Sequence, residues 1–130
     1  MNNLDIYKCN ICGNVVEVLS AGNGELVCCG QPMEKLEAKV SEESIMEKHV
    51  PVFIKYDENN AEIRVGEILH PMIKEHYIMF IQLISPDKKC VQLKFLNPEE
   101  LPKMDVKNLQ IGSLAREYCN IHGLWEAKFD

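Results

Sequence analysis

Nine side chains able to bind a metal fall into two chemically distinct sets along this chain. The first is all sulfur: Cys9-x-x-Cys12 and the adjacent pair Cys28-Cys29, within the first thirty residues. The second is rich in nitrogen: His49, His70, His76 and His122, which are all four histidines of the chain, together with Cys119. Two donor sets of different chemistry point to two metal centres, one closed and one able to accept a small ligand.

Four thiolates in tetrahedral array suit zinc or iron, and a Cys-x-x-Cys knuckle aims backbone amides at its own sulfurs. The Cys28-Cys29 pair has no spacer, which forces a wider angle at the metal than an ordinary zinc-ribbon knuckle. Adjacent Cα atoms lie only about 3.8 Å apart, too close for a usual bridged pair. No apolar signal core precedes Cys9, so a reducing, cytoplasmic setting is expected, where cysteines serve as ligands more often than as disulfides. The all-sulfur set is therefore read as a folding staple. Such a centre either serves folding alone or also carries electrons.

The histidines demand a particular chain path. On one straight strand His70 and His76 would share a face about 20 Å apart, too far for bonds of about 2 Å. The chain must bend between them, and Pro71 begins the bend by holding His70 extended. Cys119 and His122 fit a tight turn that Gly123 can end, and His49 stands two residues before Pro51. Four imidazoles and one thiolate exceed the needs of a structural zinc site and suit a transition metal, iron included, with a sixth position available. With Fe(II) and neutral imidazoles such a site carries one positive charge, attractive to an anion. A thiolate opposite the vacant position would push electron density toward a bound oxygen ligand, as axial thiolates do in haem enzymes. Glu47 and Lys48 immediately precede His49. They are either a solvated pair at a linker end or functional: Lys48 to attract an anion and orient a water for proton delivery, Glu47 to coordinate the oxidised metal and help expel product.

The elements that must position these donors read as strands. Residues 6–8 and 14–19 are short strands, and Ala21-Gly22-Asn23-Gly24 is a hairpin turn with 25–28 returning from it. This part is too small to bury a sufficient core. After a polar stretch, β-branched and aromatic runs flank turns: 52–56 and 62–65 around 57–60, 77–84 and 90–96 around 85–88, then 114–118 and 124–129. The expectation is an all-β protein: a small metal-stapled module over 1–37, a linker over 38–46, and a β-sandwich of about seven strands over 47–130. Residues 97–112 read as a loop or edge strand. Cys90 is expected to be a small buried hydrophobe, and Trp125 to pack under the Cys119–His122 turn. A formal net charge of −6 without a basic run argues against a nucleic-acid partner, and no apolar run has the length of a membrane span.

Taken together, Cys9-x-x-Cys12…Cys28-Cys29, Glu47-Lys48-His49-Val50-Pro51, His70-Pro71-Met72…His76-Tyr77-Ile78 and 116–125 (Arg-Glu-Tyr-Cys-Asn-Ile-His-Gly-Leu-Trp) resemble desulfoferrodoxin, the two-iron superoxide reductase family. The resemblance implies a desulforedoxin-like module with an Fe(Cys)4 centre at Cys9, Cys12, Cys28 and Cys29, followed by a neelaredoxin-type, immunoglobulin-like seven-stranded sandwich. It further implies a ferrous centre with His49, His70, His76 and His122 in a plane and Cys119 axial. On this reading superoxide is reduced by one electron to hydrogen peroxide without release of oxygen. Lys48 and Glu47 fall on the family's functional pair, the electron donor is rubredoxin-like, and the protein is a homodimer. Three competing expectations stand beside it: a closed electron carrier, a zinc-stapled binding module, and a dismutase.

Overall fold

The computed structural model describes residues 1–40, 49–66 and 70–130. Its ordered elements are strands, and the chain divides into two compact units, Met1–Glu37 and Ala38–Asp130.

In the first unit β1 (Ile6–Lys8) lies between β2 (Val15–Glu17) and β5 (Glu34–Lys35), while β3 (Val27–Cys28) pairs with β4 (Gln31–Pro32). This corrects the expectation that residues 25–28 return along β2 from the Ala21-Gly24 turn, since the neighbour of β2 is β1. The reason is a second, tighter reversal. Cys28 pairs with Gln31 around a two-residue loop, Cys29-Gly30, whose φ angles are +53° and +76°. Two successive left-handed residues make the hairpin turn whose twist matches that of paired strands. β3 is thereby committed to β4, and the adjacent thiols are carried to a hairpin tip. Ile6, Cys9 and Val18 are the buried apolar residues of this unit, a core far too small to stand without a cross-link.

The second unit packs two antiparallel sheets. One has the order β10 (Lys103–Val106), β7 (Ala61–Val65), β6 (Pro51–Lys55); the other β12 (Gly123–Lys128), β11 (Leu114–Cys119), β8 (Ile78–Ile84), β9 (Val91–Phe95). Seven strands in two layers match the expected sandwich, and the 97–112 stretch supplies the edge strand β10. Alternation builds the core: Ala61, Ile63 and Val65 of β7 and Met104 and Val106 of β10 face Ile81, Leu83 and Ala115 of the other sheet. Burying these side chains removes apolar surface from water at about 25 cal/mol per Å², the main term holding the layers together. On the opposite face of β8 and β11, Arg116 donates to Gln82 Oε1 from Nε (3.1 Å) and Nη2 (2.8 Å), so two buried polar side chains satisfy one another.

Antiparallel pairing decides where the donors meet. Pro51 at the start of β6 is opposite Val65 at the end of β7, and Cys119 at the end of β11 is opposite Ile78 at the start of β8. The segments holding His49, His70, His76, Cys119 and His122 therefore leave the strands at one end of the sandwich.

Candidate metal centres

In the first unit the four sulfurs of Cys9, Cys12, Cys28 and Cys29 all lie within 4.8 Å of one another. Cys12 Sγ is 3.6 Å from Cys28 Sγ, which is 3.9 Å from Cys29 Sγ. Four sulfurs held at about 2.3 Å in a tetrahedron are separated by about 3.8 Å, so the spacing fits one tetrahedral metal. The knuckle is closed by local bonds. Cys12 N–H points at Cys9 Sγ (3.5 Å), Gly13 N–H donates to Cys9 O (2.9 Å), and Asn14 Nδ2 reaches Cys28 Sγ (3.7 Å). The backbone N–H groups of Cys12 and Ile11 aimed at its sulfur lower the Cys9 thiol to about 6. Cys29 is pushed up to about 12 by sharing protons with Cys12 and its other sulfur neighbours. One thiolate forms readily and further ones resist, which is the electrostatic condition a cation at the centre relieves.

At the end of the second unit, donor atoms of His49, His76, Cys119 and His122 lie within 4.8 Å of one another. His70 adjoins this set. Its Nε2 is 3.1 Å from His49 Nε2 and 3.4 Å from Cys119 Sγ. Its Nδ1–H donates to Pro71 O at 2.7 Å, which fixes the tautomer and leaves the Nε2 lone pair facing the cluster. Burial lowers the His70 pKa to about 4, so the ring is neutral and able to ligate at neutral pH. On its other side, His49 Nε2 is 2.9 Å from His122 Nδ1.

Two bonds of about 2.1 Å at a right angle separate their nitrogens by about 3 Å, so the 3.1 and 2.9 Å spacings are those of neighbouring ligands on one metal. The rings complete the circuit. Centroids of His49–His70, His70–His76 and His49–His122 are 4.6 Å apart, and those of His76–His122 are 5.1 Å apart, all at steep angles. His49 and His76 are 6.2 Å apart and nearly parallel, as opposed ligands would be. Cys119 Sγ sits 4.0 Å from His122 Nδ1 and receives the His122 N–H at 3.4 Å. Neutral imidazole lone pairs this close repel one another unless a cation or a proton lies between them, so the donor set fits a metal.

The surroundings support the cluster. Trp125 is fully buried, stacks on His49 (4.9 Å, 24°), and donates from Nε1 to His122 O at 3.2 Å. It packs where the sequence placed it. Lys39 bridges to Trp125 in parallel register. Its Nζ donates to His122 O (3.1 Å) and lies 5.1 Å from the Trp125 ring centroid. Glu117, two residues from Cys119, is fully buried, and burial raises its pKa well above the ordinary carboxylate value. Cys90, expected to be buried, is exposed: its carbonyl accepts from the Ser85 N–H and its own N–H donates to Ser85 Oγ, closing the turn at the margin of the sheet. Glu47 and Lys48 lie outside the described residues.

Comparison with known proteins covers both units. Residues 1–36 match the family described as "Desulfoferrodoxin, N-terminal domain" and residues 41–128 the family described as "Desulfoferrodoxin". A "Desulfoferrodoxin homolog" of Archaeoglobus fulgidus is 48% identical over 124 residues, covering 95% of this chain and 96% of the relative. A protein named superoxide reductase from Thermococcus kodakarensis is 39% identical over 97 residues, 62% of this chain and 84% of the relative. The crystal structure of the superoxide reductase from Treponema pallidum shares the fold, with a TM-score of 0.74, 23% identity and coverage of 98% of this chain and 100% of that one.

An all-thiolate cluster on a small β module and an imidazole–thiolate cluster at the end of a β-sandwich define a non-haem metalloprotein with two candidate metal sites. The family matches cover almost the whole chain and the relatives align over nearly their full lengths. The chain belongs to the desulfoferrodoxin family.

Proposed function

We propose that this protein is a superoxide reductase, delivering one electron to superoxide to form hydrogen peroxide. The observation that carries the reading is the convergence of four imidazoles and one thiolate at one end of the sandwich, a donor set larger than a structural metal needs. We assign His49, His70, His76, His122 and Cys119 as ligands of one iron, and Cys9, Cys12, Cys28 and Cys29 as ligands of a second. Iron held there would, when ferrous, supply the single electron that superoxide takes up with two protons.

The chain's own residues shape the rest. Cys119 is buried, whereas His76 and His122 are half-exposed, so a small anion arrives from the side away from the thiol. Pro71 O and the His122 N–H hold the His70 ring and the Cys119 sulfur in place before any substrate arrives. Lys48, next to His49 in sequence, attracts the anion and orients a proton-delivering water. Glu47 would serve as a ligand of the oxidised metal and help release peroxide.

The same reading includes a desulforedoxin-like module over 1–37, a linker over 38–46 and a neelaredoxin-type domain over 47–130. It also includes a rubredoxin-like donor, a homodimer and a cytoplasmic location. Exposed Leu19 and Val27 on the first unit suit self-association. No helix among the described residues is long and apolar enough to cross a membrane. The test is stoichiometric: the reduced protein in a superoxide flux should yield one peroxide per oxidised nitrogen-rich site and no oxygen. Oxygen evolution would instead mark a dismutase, and absence of reaction a closed electron carrier.

A further inference from the structure

We infer that Asn120 is a positioning residue for the nitrogen-rich centre: its side-chain amide grips both peptide units that flank His76 and fixes that imidazole relative to Cys119 and His122. Asn120 stands between the two donors of the Cys119–His122 turn. Its contacts reach elsewhere. Tyr77 N–H donates to Asn120 Oδ1 at 2.9 Å, and Asn120 Nδ2 donates to Glu75 O at 3.1 Å. The Asn120 N–H donates to Tyr77 O at 3.2 Å. Glu75 O belongs to the peptide before His76, and Tyr77 N to the peptide after it.

The other edge of the same backbone is held by Ile73. Ile73 N–H donates to His76 O (3.1 Å), and His76 N–H donates to Ile73 O (3.0 Å), in a two-residue reversal over Lys74-Glu75. The four backbone groups that define the orientation of His76 are thus fixed, two by Ile73 and two by Asn120. A register shift between Tyr118 and Cys119 interrupts the β8–β11 ladder at this point. The Asn120 amide, with one donor and one acceptor side by side, continues the pairing where the strand no longer does. The Tyr77 N–H can only donate and Glu75 O only accept, so these partners define the orientation of the amide.

The chemistry selects asparagine. Aspartate keeps the bond from Tyr77 but sets a carboxylate oxygen against Glu75 O. Alanine loses both bonds. Ligand geometry then depends on a side chain that touches no metal, the situation in which removing an outer partner weakens metal binding by about 10–100-fold.

The inference rests on metal binding at this cluster, and the test separates the two. The full chain and its Asn120→Asp and Asn120→Ala variants are loaded with cobalt(II), followed by its thiolate charge-transfer and ligand-field bands, and challenged with a chelator. The expected result is release from the nitrogen-rich site about 10–100-fold more readily, with shifted bands and with Asn120→Asp intermediate, while the all-thiolate site keeps its spectrum and retention. Parent-like bands and retention in both variants would overturn the role of Asn120 while leaving the site intact. Equal weakening of both sites, together with a matching fall in metal-free melting temperature, would reduce Asn120 to a general stabiliser and overturn it as well. A parent chain that takes up no cobalt at the cluster would overturn the metal-site reading itself.

Discussion

Trp125→Phe is a perturbation whose size can be worked from the structure. Trp125 is fully buried, stacked on His49 at 4.9 Å, and bonded from Nε1 to His122 O. Phenylalanine keeps an aromatic face but loses the N–H donor, a net cost of about 1 kcal/mol. His122 O is not orphaned, because Lys39 Nζ still donates to it at 3.1 Å. The smaller ring gives up part of a stacking contact worth about 0.5–1.5 kcal/mol and leaves a small void, so the total is about 2 kcal/mol. In a unit of about 90 residues each kcal/mol moves the melting temperature by about 4–8 °C, so metal-free Trp125→Phe should melt about 8–16 °C lower. Trp125→Leu removes the stacking altogether and should cost about 3–5 kcal/mol. Both are read by circular-dichroism melting, and the absorption of the loaded centre should shift more for leucine, because His49 then loses its backing. A fall below about 2 °C for phenylalanine, or a leucine variant no worse than phenylalanine, would refute the claim that Trp125 supports the His49 and His122 ligands.

Three further outcomes follow from the account. Lys48→Ala should slow the second-order reaction with superoxide and flatten its dependence on ionic strength; unchanged kinetics would remove Lys48 from anion steering. Glu47→Ala should leave the first reaction with superoxide nearly intact and alter only later steps in stopped-flow traces, and a large loss in the first step would show the assignment wrong. In the metal-free protein, burial holds the His70 pKa near 4 against an ordinary 6.5, so as pH falls the unfolded chain takes up that proton first. Stability should therefore fall between about pH 6.5 and 4, seen as a lower urea midpoint, and this slope should shrink in His70→Gln.

Most of the sandwich was legible because its signals are local. The turns at 57–60 and 85–88 and the flanking β-branched runs placed β6, β7, β8 and β9 within a residue or two of their observed ends. β10 was harder, since the Lys103–Val106 strand has only four residues, half of them polar, and sits at a sheet edge. The first unit misled for a definite reason. Ala21-Gly24 has turn composition, but Cys29-Gly30 makes the hairpin, and a cysteine with φ of +53° carries no compositional signal. Donor residue types and spacing announced both clusters. The circuit in which His49 neighbours His70 and His122 and opposes His76 follows from strand order, which no spacing reveals. Lys39 and Asn120 stayed hidden for the same reason, as each acts on a backbone segment distant in sequence.

The most direct test of the central claim is pulse radiolysis of the reduced, iron-loaded protein with superoxide, after metal analysis and a visible spectrum. The account predicts two irons per chain and a fast bimolecular reaction that oxidises the nitrogen-rich centre and yields one peroxide without oxygen. Two irons with no fast reaction would contradict it and leave an electron carrier. Zinc in the nitrogen-rich site, persisting after mis-metallation during production is excluded, would contradict it at the level of the metal.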